Sequence, residues 1–267
     1  LGLTTAQVAE QTSRLGERIP APTLSKIERG TQEPGLRRAF ALLRLYQLPP
    51  EVLPDLLELE ELAAEQPTET DPQVLLEQGV EHWKRGEIGP ALAHLFAVRR
   101  LAPATAEGQL VRQKALLAFA IGASNLGRTK LSHRVIEELA LEPPEPSLAF
   151  SVLYHAAVNW VEMGSVAMAM AVLEYAGHHP DAQQPRHRAL LLHEKARVLL
   201  VVGQIAEAER SIEAALHEYG GTSDAWNRLK AQSLHARIFL ETGRSEGALE
   251  LARASGDEAR ALGYPEL

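Results

Sequence analysis

The stretch "GVEHWKRGEIGPALAHLFAVRRLAP", residues 79–103, decides the fold of most of this chain. It begins with a small residue, Gly79, followed by the bulky apolar Trp83 and by a glycine seven positions after the first. An alanine, Ala91, lies five positions after that second glycine, and a proline ends the unit. A glycine at a helix end accepts the left-handed backbone conformation that lets the chain reverse. The stretch therefore predicts two antiparallel helices joined at Gly86.

The same pattern recurs along the chain, in "AVNWVEMGSVAMAMAVLEYAGHHP" (157–180) and in "ARVLLVVGQIAEAERSIEAALHEYG" (196–220). With two weaker copies, the turn glycines are spaced by 41, 37, 39 and 40 residues, at Gly86, Gly127, Gly164, Gly203 and Gly243. Small residues recur on the first helix at Gly79, Ala120, Ala157, Ala196 and Ala236. They recur on the second helix at Ala91, Ser132, Ala169, Ala208 and Ala248. One hairpin cannot bury its apolar face alone, so the copies are expected to stack into a solenoid.

This pattern resembles the tetratricopeptide repeat, whose unit is about 34 residues long. The resemblance covers about residues 72–260 as five units, and the first unit matches best. The longer spacing implies extended helices or loops. A generic all-α superhelix of another repeat type is the alternative reading.

The N-terminal region carries a different pattern, in "LTTAQVAEQ" and "PTLSKIERG". The first segment predicts a short helix capped by Thr4 or Thr5. The second predicts a helix that tolerates a proline in its first turn, places Leu24 and Ile27 on one face and ends at Gly30. A third helix is predicted over "PGLRRAFALLRLYQL", with apolar residues at Leu36, Phe40, Leu43 and Leu48, and a linker helix begins in "PPEVLPDLLELEELAAE".

These segments resemble the helix-turn-helix of the Cro/repressor (XRE) family, through "LTTAQVA", "TLSKIERG" and Pro34. The resemblance implies that the second helix is the recognition helix in a DNA major groove. It implies base or phosphate contacts from the residues at the family's DNA-reading positions: Thr4, Thr5, Ala21, Pro22, Thr23, Lys26, Arg29, Arg37 and Arg38. Glu28 is expected to pair with an arginine.

The head departs from that family in two places. The segment between the first two helices, "EQTSRLGERIPAP", is longer than the family pattern, so that Arg14 and Arg18 are expected on an inserted loop or extra turn. The family's first helix would precede Leu1. A break at "EQPTETDP" separates a predicted DNA-binding domain and linker helix, residues 1–66, from a repeat domain, residues 72–267.

Charge is unevenly distributed in the chain, whose net charge is −8. Residues 1–50 hold seven basic and four acidic residues, a local charge of +3, whereas residues 51–70 hold seven acids and no base. A basic head on an acidic body is typical of a small nucleic-acid-binding module joined to a larger domain that does not bind nucleic acid.

The composition also limits the classes of site and compartment. The chain has no cysteine and no long apolar run, which favours a cytoplasmic protein with no membrane partner. Its ten histidines are scattered, without metal-ligand spacing, and are interpreted as surface residues. No nucleophile motif or phosphate loop is present, so we expect no enzyme activity, metal or cofactor.

The tetratricopeptide resemblance implies a concave face formed by the first helix of each pair. The position after the small residue holds Val80, Ile121, Val158, Arg197 and Arg237. The two arginines could clamp a carboxylate such as a peptide terminus. Further candidates for peptide binding on or near this face are Lys114, Asn125, Tyr154, Glu162, His193 and Lys230. The alternative is a solvated polar face with internal salt bridges.

The combined layout is all-α, a helix-turn-helix head followed by a tetratricopeptide-like solenoid. It resembles the peptide-responsive quorum-sensing regulators of the PlcR, PrgX and Rgg group. That resemblance implies a homodimeric transcriptional regulator that binds double-stranded DNA through its heads and a signalling peptide or protein ligand through its repeats. The alternative is a tetratricopeptide adaptor whose helical head does not bind DNA.

Overall fold

The computed structural model describes residues 3–29, 31–48, 50, 53–54, 57 and 67–263. All regular structure in these ranges is helical, which confirms the all-α prediction. The predicted helix end at Gly30 and nearly all of the predicted linker helix lie outside the described residues. The chain divides into two compact units, Leu1–Glu61 and Leu62–Leu267. Within the described ranges, no helix has the length and apolar character needed to cross a membrane.

The first unit contains helices α1 (Thr5–Arg14), α2 (Ala21–Glu28) and α3 (Leu36–Leu45). Thr4 caps α1: its hydroxyl accepts from the backbone N–H of Gln7, and the Gln7 side chain accepts from the backbone N–H of Thr4. The three helices enclose a small apolar core of Val8, Ile19, Leu24, Ala41 and Leu45. This core fixes one side of α2 and leaves the other side facing out.

Three details of this unit differ from the sequence predictions. The buried residues of α3 are Ala41, Leu43 and Leu45, whereas Leu36 is 66% exposed because it begins the helix away from the core. Arg14 lies in the last turn of α1 and not on a loop, and it forms an i,i+4 ion pair with Glu10 there, whereas Arg18 lies outside the helices, between α1 and α2. Among the described residues Glu28 forms no ion pair; a different acid, Glu17, lies 3.8 Å from Arg38.

The second unit consists of five helical hairpins. Their helices are α4 (Pro72–Lys84), α5 (Ile88–Leu101), α6 (Ala106–Asn125), α7 (Thr129–Leu141), α8 (Pro146–Glu162), α9 (Val166–Gly177), α10 (Pro185–Val201), α11 (Ile205–Tyr219), α12 (Ala225–Glu241) and α13 (Ser245–Ala261). A short 3-10 helix, Pro180–Gln183, precedes α10. The first helices of successive hairpins contact one another from α4 to α12. We call the surface that they form the first-helix face.

The hairpin turns follow the predicted pattern. The five turn glycines have φ angles between 73° and 76°, the left-handed region that residues with a side chain avoid. The small residues within the hairpins are buried, with Ala120, Ala157 and Ala196 at 0% exposure. Ser132 takes the small position of α7 and hydrogen bonds to the buried Asn159 of α8. Close contact between two helices and a tight turn are therefore repeated in each of the five hairpins.

Trp83 shows why neighbouring repeats must fit closely. A Cβ atom added at Gly122 of α6 would lie 2.5 Å from Cζ3 of the Trp83 indole, closer than any real contact. The indole of the first repeat therefore fills the space left by a glycine of the second repeat. Packing of this kind transmits shape from one hairpin to the next.

Candidate nucleic-acid interface and ligand site

The outer side of α2 presents one stripe of exposed residues. Pro22, Lys26 and Arg29 follow one another at helical spacing and are all exposed. Leu24 and Ile27, on the opposite side, pack into the core of the first unit. The two apolar residues therefore hold the helix in place while two cations face out.

Local hydrogen bonds order the C-terminal end of α2. The Arg29 side chain donates from Nε to the carbonyl oxygen of Ser25, at 3.0 Å. The hydroxyl and the backbone N–H of Thr31 both donate to the carbonyl oxygen of Lys26, at 3.1 and 2.9 Å. These bonds satisfy carbonyl groups that a helix end leaves free. Ser25, partly buried, lies one turn from both Pro22 and Arg29, and its spacing could have added it to the candidates.

The remaining predicted DNA contacts have more varied surroundings. Thr5, Ala21 and Thr23 are partly buried, and Arg37 is exposed. Thr4 is exposed but its hydroxyl already caps α1. Arg38 is partly exposed near Glu17.

All eight predicted ligand residues lie on first helices of the hairpins, on α6, α8, α10 and α12. The structure brings five of them into one electrostatic cluster: Tyr154, Glu162, His193, Arg197 and Lys230. The other three, Lys114, Asn125 and Arg237, are exposed and take no part in the ion pairs of that cluster.

Arg197 is the centre of this cluster. Its guanidinium donates to Glu162 of α8 and to both carboxylate oxygens of Glu194, one turn earlier on α10. Glu194 is 1% exposed, and burial raises its pKa while Arg197 opposes that rise. Burial alone would lower the pKa of Arg197, but Glu194 and Glu162 raise it. Arg197 therefore neutralises a buried carboxylate and links two repeats.

Lys230 lies on the next first helix in a different setting. Its ammonium group is 5.0 Å from the centre of the Trp226 ring, one turn earlier on α12. Burial and the nearby Arg197 lower the pKa of Lys230, and Glu194, Asp224 and Glu162 oppose that shift. No carboxylate of the described chain lies within ion-pair distance of Lys230. A ring face is a weaker partner for an ammonium group than a carboxylate.

Two histidines with lowered pKa values complete the surroundings of the cluster. His193 is 6% exposed, and burial with the nearby Arg197 and Lys230 lowers its pKa to about 3. Burial, Lys230 and Arg186 lower the pKa of His155 to about 4. The interpretation of the histidines as surface residues is thus wrong for His193, because helix stacking covers it. His178 of the His-His pair is exposed, as that interpretation requires.

Comparison with known proteins found a family model that matches the head. Residues 1–53 match the helix-turn-helix family model. The head is a helix-turn-helix domain. The match covers α1, α2 and α3, and it confirms the predicted resemblance in this part of the chain. No curated protein matches the sequence.

Two solved structures are similar to this chain in fold. One is a thermophilic TPR protein from Thermus thermophilus, 19% identical, with a TM-score of 0.56 over 71% of this chain and 92% of the other. The other is Bacillus thuringiensis PlcR in complex with the peptide PapR7 and DNA, 13% identical. Its TM-score is 0.57, over 99% of this chain and 93% of PlcR. The tetratricopeptide-like solenoid is confirmed.

Sequence reasoning missed several members of the cluster, namely His155, Glu194, Tyr219, Asp224 and Trp226. Two of them carried a local signal: Glu194 precedes Arg197 by three residues and Trp226 precedes Lys230 by four, both helical neighbours. Glu209, Glu213 and His235 form a separate group whose ligand atoms lie within 4.8 Å of one another. Within that group Glu209 is already paired with Arg244, at 2.7 Å.

Proposed function

We propose that this chain is a DNA-binding transcriptional regulator whose repeat unit binds a peptide or protein ligand. The observation that carries the proposal is the exposed stripe of Pro22, Lys26 and Arg29 on the second helix of a helix-turn-helix domain. In this motif the second helix enters the major groove, and basic side chains reach phosphates or guanine acceptors. The local charge of +3 over residues 1–50 favours the same partner.

The ligand half of the proposal rests on the first-helix face. Three adjacent repeats contribute charged, aromatic and imidazole groups to one cluster, which mixes buried and accessible side chains. Such a surface offers hydrogen-bonding groups to an extended peptide as well as apolar contact. The fold shared with PlcR, which was solved with a peptide and DNA, supports the same assignment. The chain acts as a homodimer, because two heads are needed to contact paired half-sites. Ligand binding to the repeats controls the DNA binding of this homodimer.

The experiment is selection of bound fragments from sheared double-stranded DNA by the full chain. A double variant, Lys26→Glu with Arg29→Glu, reverses the charge of the stripe. The matched control, Arg100→Glu with Lys130→Glu, reverses two exposed charges of the repeat unit and gives the same net charge. We expect enrichment of related sequences by the wild type and the control, and loss of that enrichment in the stripe variant.

Equal behaviour of the two double variants would refute the assignment of α2 as the contact helix. No enrichment by the wild type would refute DNA binding and favour the adaptor. Sedimentation of the wild type with selected DNA measures whether two chains occupy one fragment.

A further inference from the structure

Lys230 is a partly buried cation whose neighbours on the first-helix face leave its donors unused. It lies beside the Trp226 ring, and within the described ranges neither an ion pair nor a hydrogen bond satisfies its ammonium group. Burying part of an ammonium group without an acceptor is unfavourable. Its lowered pKa has the same cause.

Arg197 differs from Lys230 in being fully engaged. Its contacts with Glu162 and Glu194 use both terminal nitrogens, and Glu194 is too deeply buried to be left without a counter-charge. A ligand that displaced Glu194 from Arg197 would leave Glu194 buried without a counter-charge. The cation that is open to a ligand in this cluster is therefore Lys230.

Two further polar atoms of the neighbourhood are buried and lack a partner in the part of the chain that the structure describes. They are Nδ1 of His193 and the hydroxyl oxygen of Tyr219, on side chains 6% and 0% exposed. The charge of Lys230 lowers the pKa of His193, and the charge of Glu194 raises the pKa values of Tyr219 and Lys230. These four groups are therefore near one another. Of the carboxylates there, Glu162 and Glu194 already accept from Arg197, and Asp224 accepts from Arg186. The ammonium group of Lys230 can only donate, and the Tyr219 hydroxyl can donate as well, so this region suits an incoming acceptor.

We propose that Lys230 binds a carboxylate of the ligand, which is either a peptide's C-terminal carboxylate or the side chain of an acidic residue. This inference rests on the ligand half of the proposed function. Lys230 is partly accessible and lies on the helix face that the ligand would contact. The adjacent Trp226 ring offers apolar area to the residue that carries the carboxylate. A charge-assisted hydrogen bond in a partly desolvated site is among the stronger polar contacts.

The test measures binding of the full chain to an array of randomised heptapeptides. Each peptide is present in three chemical forms. One form has free C-termini, the second has amidated C-termini, and the third has Asn and Gln in place of Asp and Glu. The proteins are the wild type, Lys230→Met, Lys230→Arg and the control Lys195→Met, which removes an exposed lysine of α10. Circular dichroism and thermal melting show that each variant is folded.

We expect the wild type to bind a subset of free peptides and to lose about tenfold or more in affinity when the carboxylate is removed. Loss with the amidated form identifies the C-terminus, and loss with the Asn/Gln form identifies a side chain. Lys230→Met should show the same loss, while Lys230→Arg and Lys195→Met keep binding. Binding that ignores both the carboxylate and Lys230→Met would overturn this inference and leave the proposed ligand site standing. No binding of any peptide by the wild type would overturn both.

Discussion

The two units of this protein use charged residues in opposite ways. On α2 the cations Lys26 and Arg29 are exposed, and neither forms an ion pair with a described residue. On the first-helix face Arg197 is paired with two carboxylates, one of them 1% exposed. Exposed charges contribute little to stability, whereas a buried carboxylate depends on its counter-ion. Binding and stability should therefore be separable in the head and joined in the repeat unit.

The largest effect is expected from Arg197→Ala. The substitution leaves Glu194 buried without its counter-charge and removes the link to Glu162, which should lower the free energy of unfolding by about 3–5 kcal/mol. Urea unfolding measures the change. The control is Arg237→Ala at the equivalent position of the next repeat, where an exposed side chain predicts a change within about 0.5 kcal/mol.

The double variant Arg197→Met with Glu194→Leu sharpens this result. Because it removes both charges together, it should recover most of the stability that Arg197→Ala loses. Equal losses in the single and double variants would mean that Arg197 stabilises by packing, and the contrast between the two units would weaken.

A smaller decrease in the free energy of unfolding is expected when the pH is lowered. The folded-state pKa values of His193 and His155, about 3 and 4, lie below the ordinary value of 6.5, so the unfolded chain binds more protons as pH falls. Their contribution is complete above pH 6.5. Between pH 6.5 and pH 5 each should lose about 2 kcal/mol, at about 1.4 kcal/mol per pKa unit.

Comparison of His193→Leu with the wild type isolates one of these contributions. The variant should have a flatter dependence of unfolding free energy on pH between 6.5 and 5 than the wild type. Glu194, whose pKa is raised, acts in the opposite direction in both proteins. An unchanged slope in His193→Leu would contradict the buried, neutral state of this histidine.

The hairpin turns should show a further, purely local effect. Gly203 has φ +75° and no atom within 4 Å of an added Cβ, so Gly203→Ala should cost about 1 kcal/mol through the backbone alone. Gly89, also with open space at its Cβ, lies in the first turn of α5 without a positive φ. Gly89→Ala should therefore be neutral or stabilise by up to about 1 kcal/mol. Thermal melting of the two variants distinguishes them.

The repeat framework could be predicted because its rules are local and recur. Gly203 must turn the chain and Ala208 must be small, and the same demands return about every 40 residues. Periodicity also predicted Arg197 and Arg237 at equivalent positions of adjacent repeats, with Lys230 on or near the same surface. It did not reveal that Arg197 pairs with Glu162, because that contact joins residues 35 positions apart and depends on how two hairpins are rotated when they stack.

Burial was the other quantity that the sequence did not provide. Leu36 is apolar yet exposed, whereas Glu194 is charged yet buried, because the position of each within its packed unit outweighs its residue type. In the head, the "IERG" motif was sufficient to predict which side of α2 packs inward, because the family pattern already contains that information. For the ligand cluster no such family pattern existed. The sequence could predict only the pairs at helical spacing, which are Glu194 with Arg197 and Trp226 with Lys230.

The smallest effect on stability is expected from Lys26→Ala. The side chain is exposed and unpaired among the described residues, so the free energy of unfolding should stay within about 0.5 kcal/mol of the wild type. If α2 is the contact helix, affinity for a selected DNA fragment should nevertheless fall by about 1–3 kcal/mol for a base contact. A phosphate contact would instead weaken all sequences alike and reduce the salt slope by about 1. Lys130→Ala, on α7, should change neither quantity. A Lys26→Ala protein that loses stability and DNA affinity together would show that the two properties are coupled in the head as well, against the expected contrast.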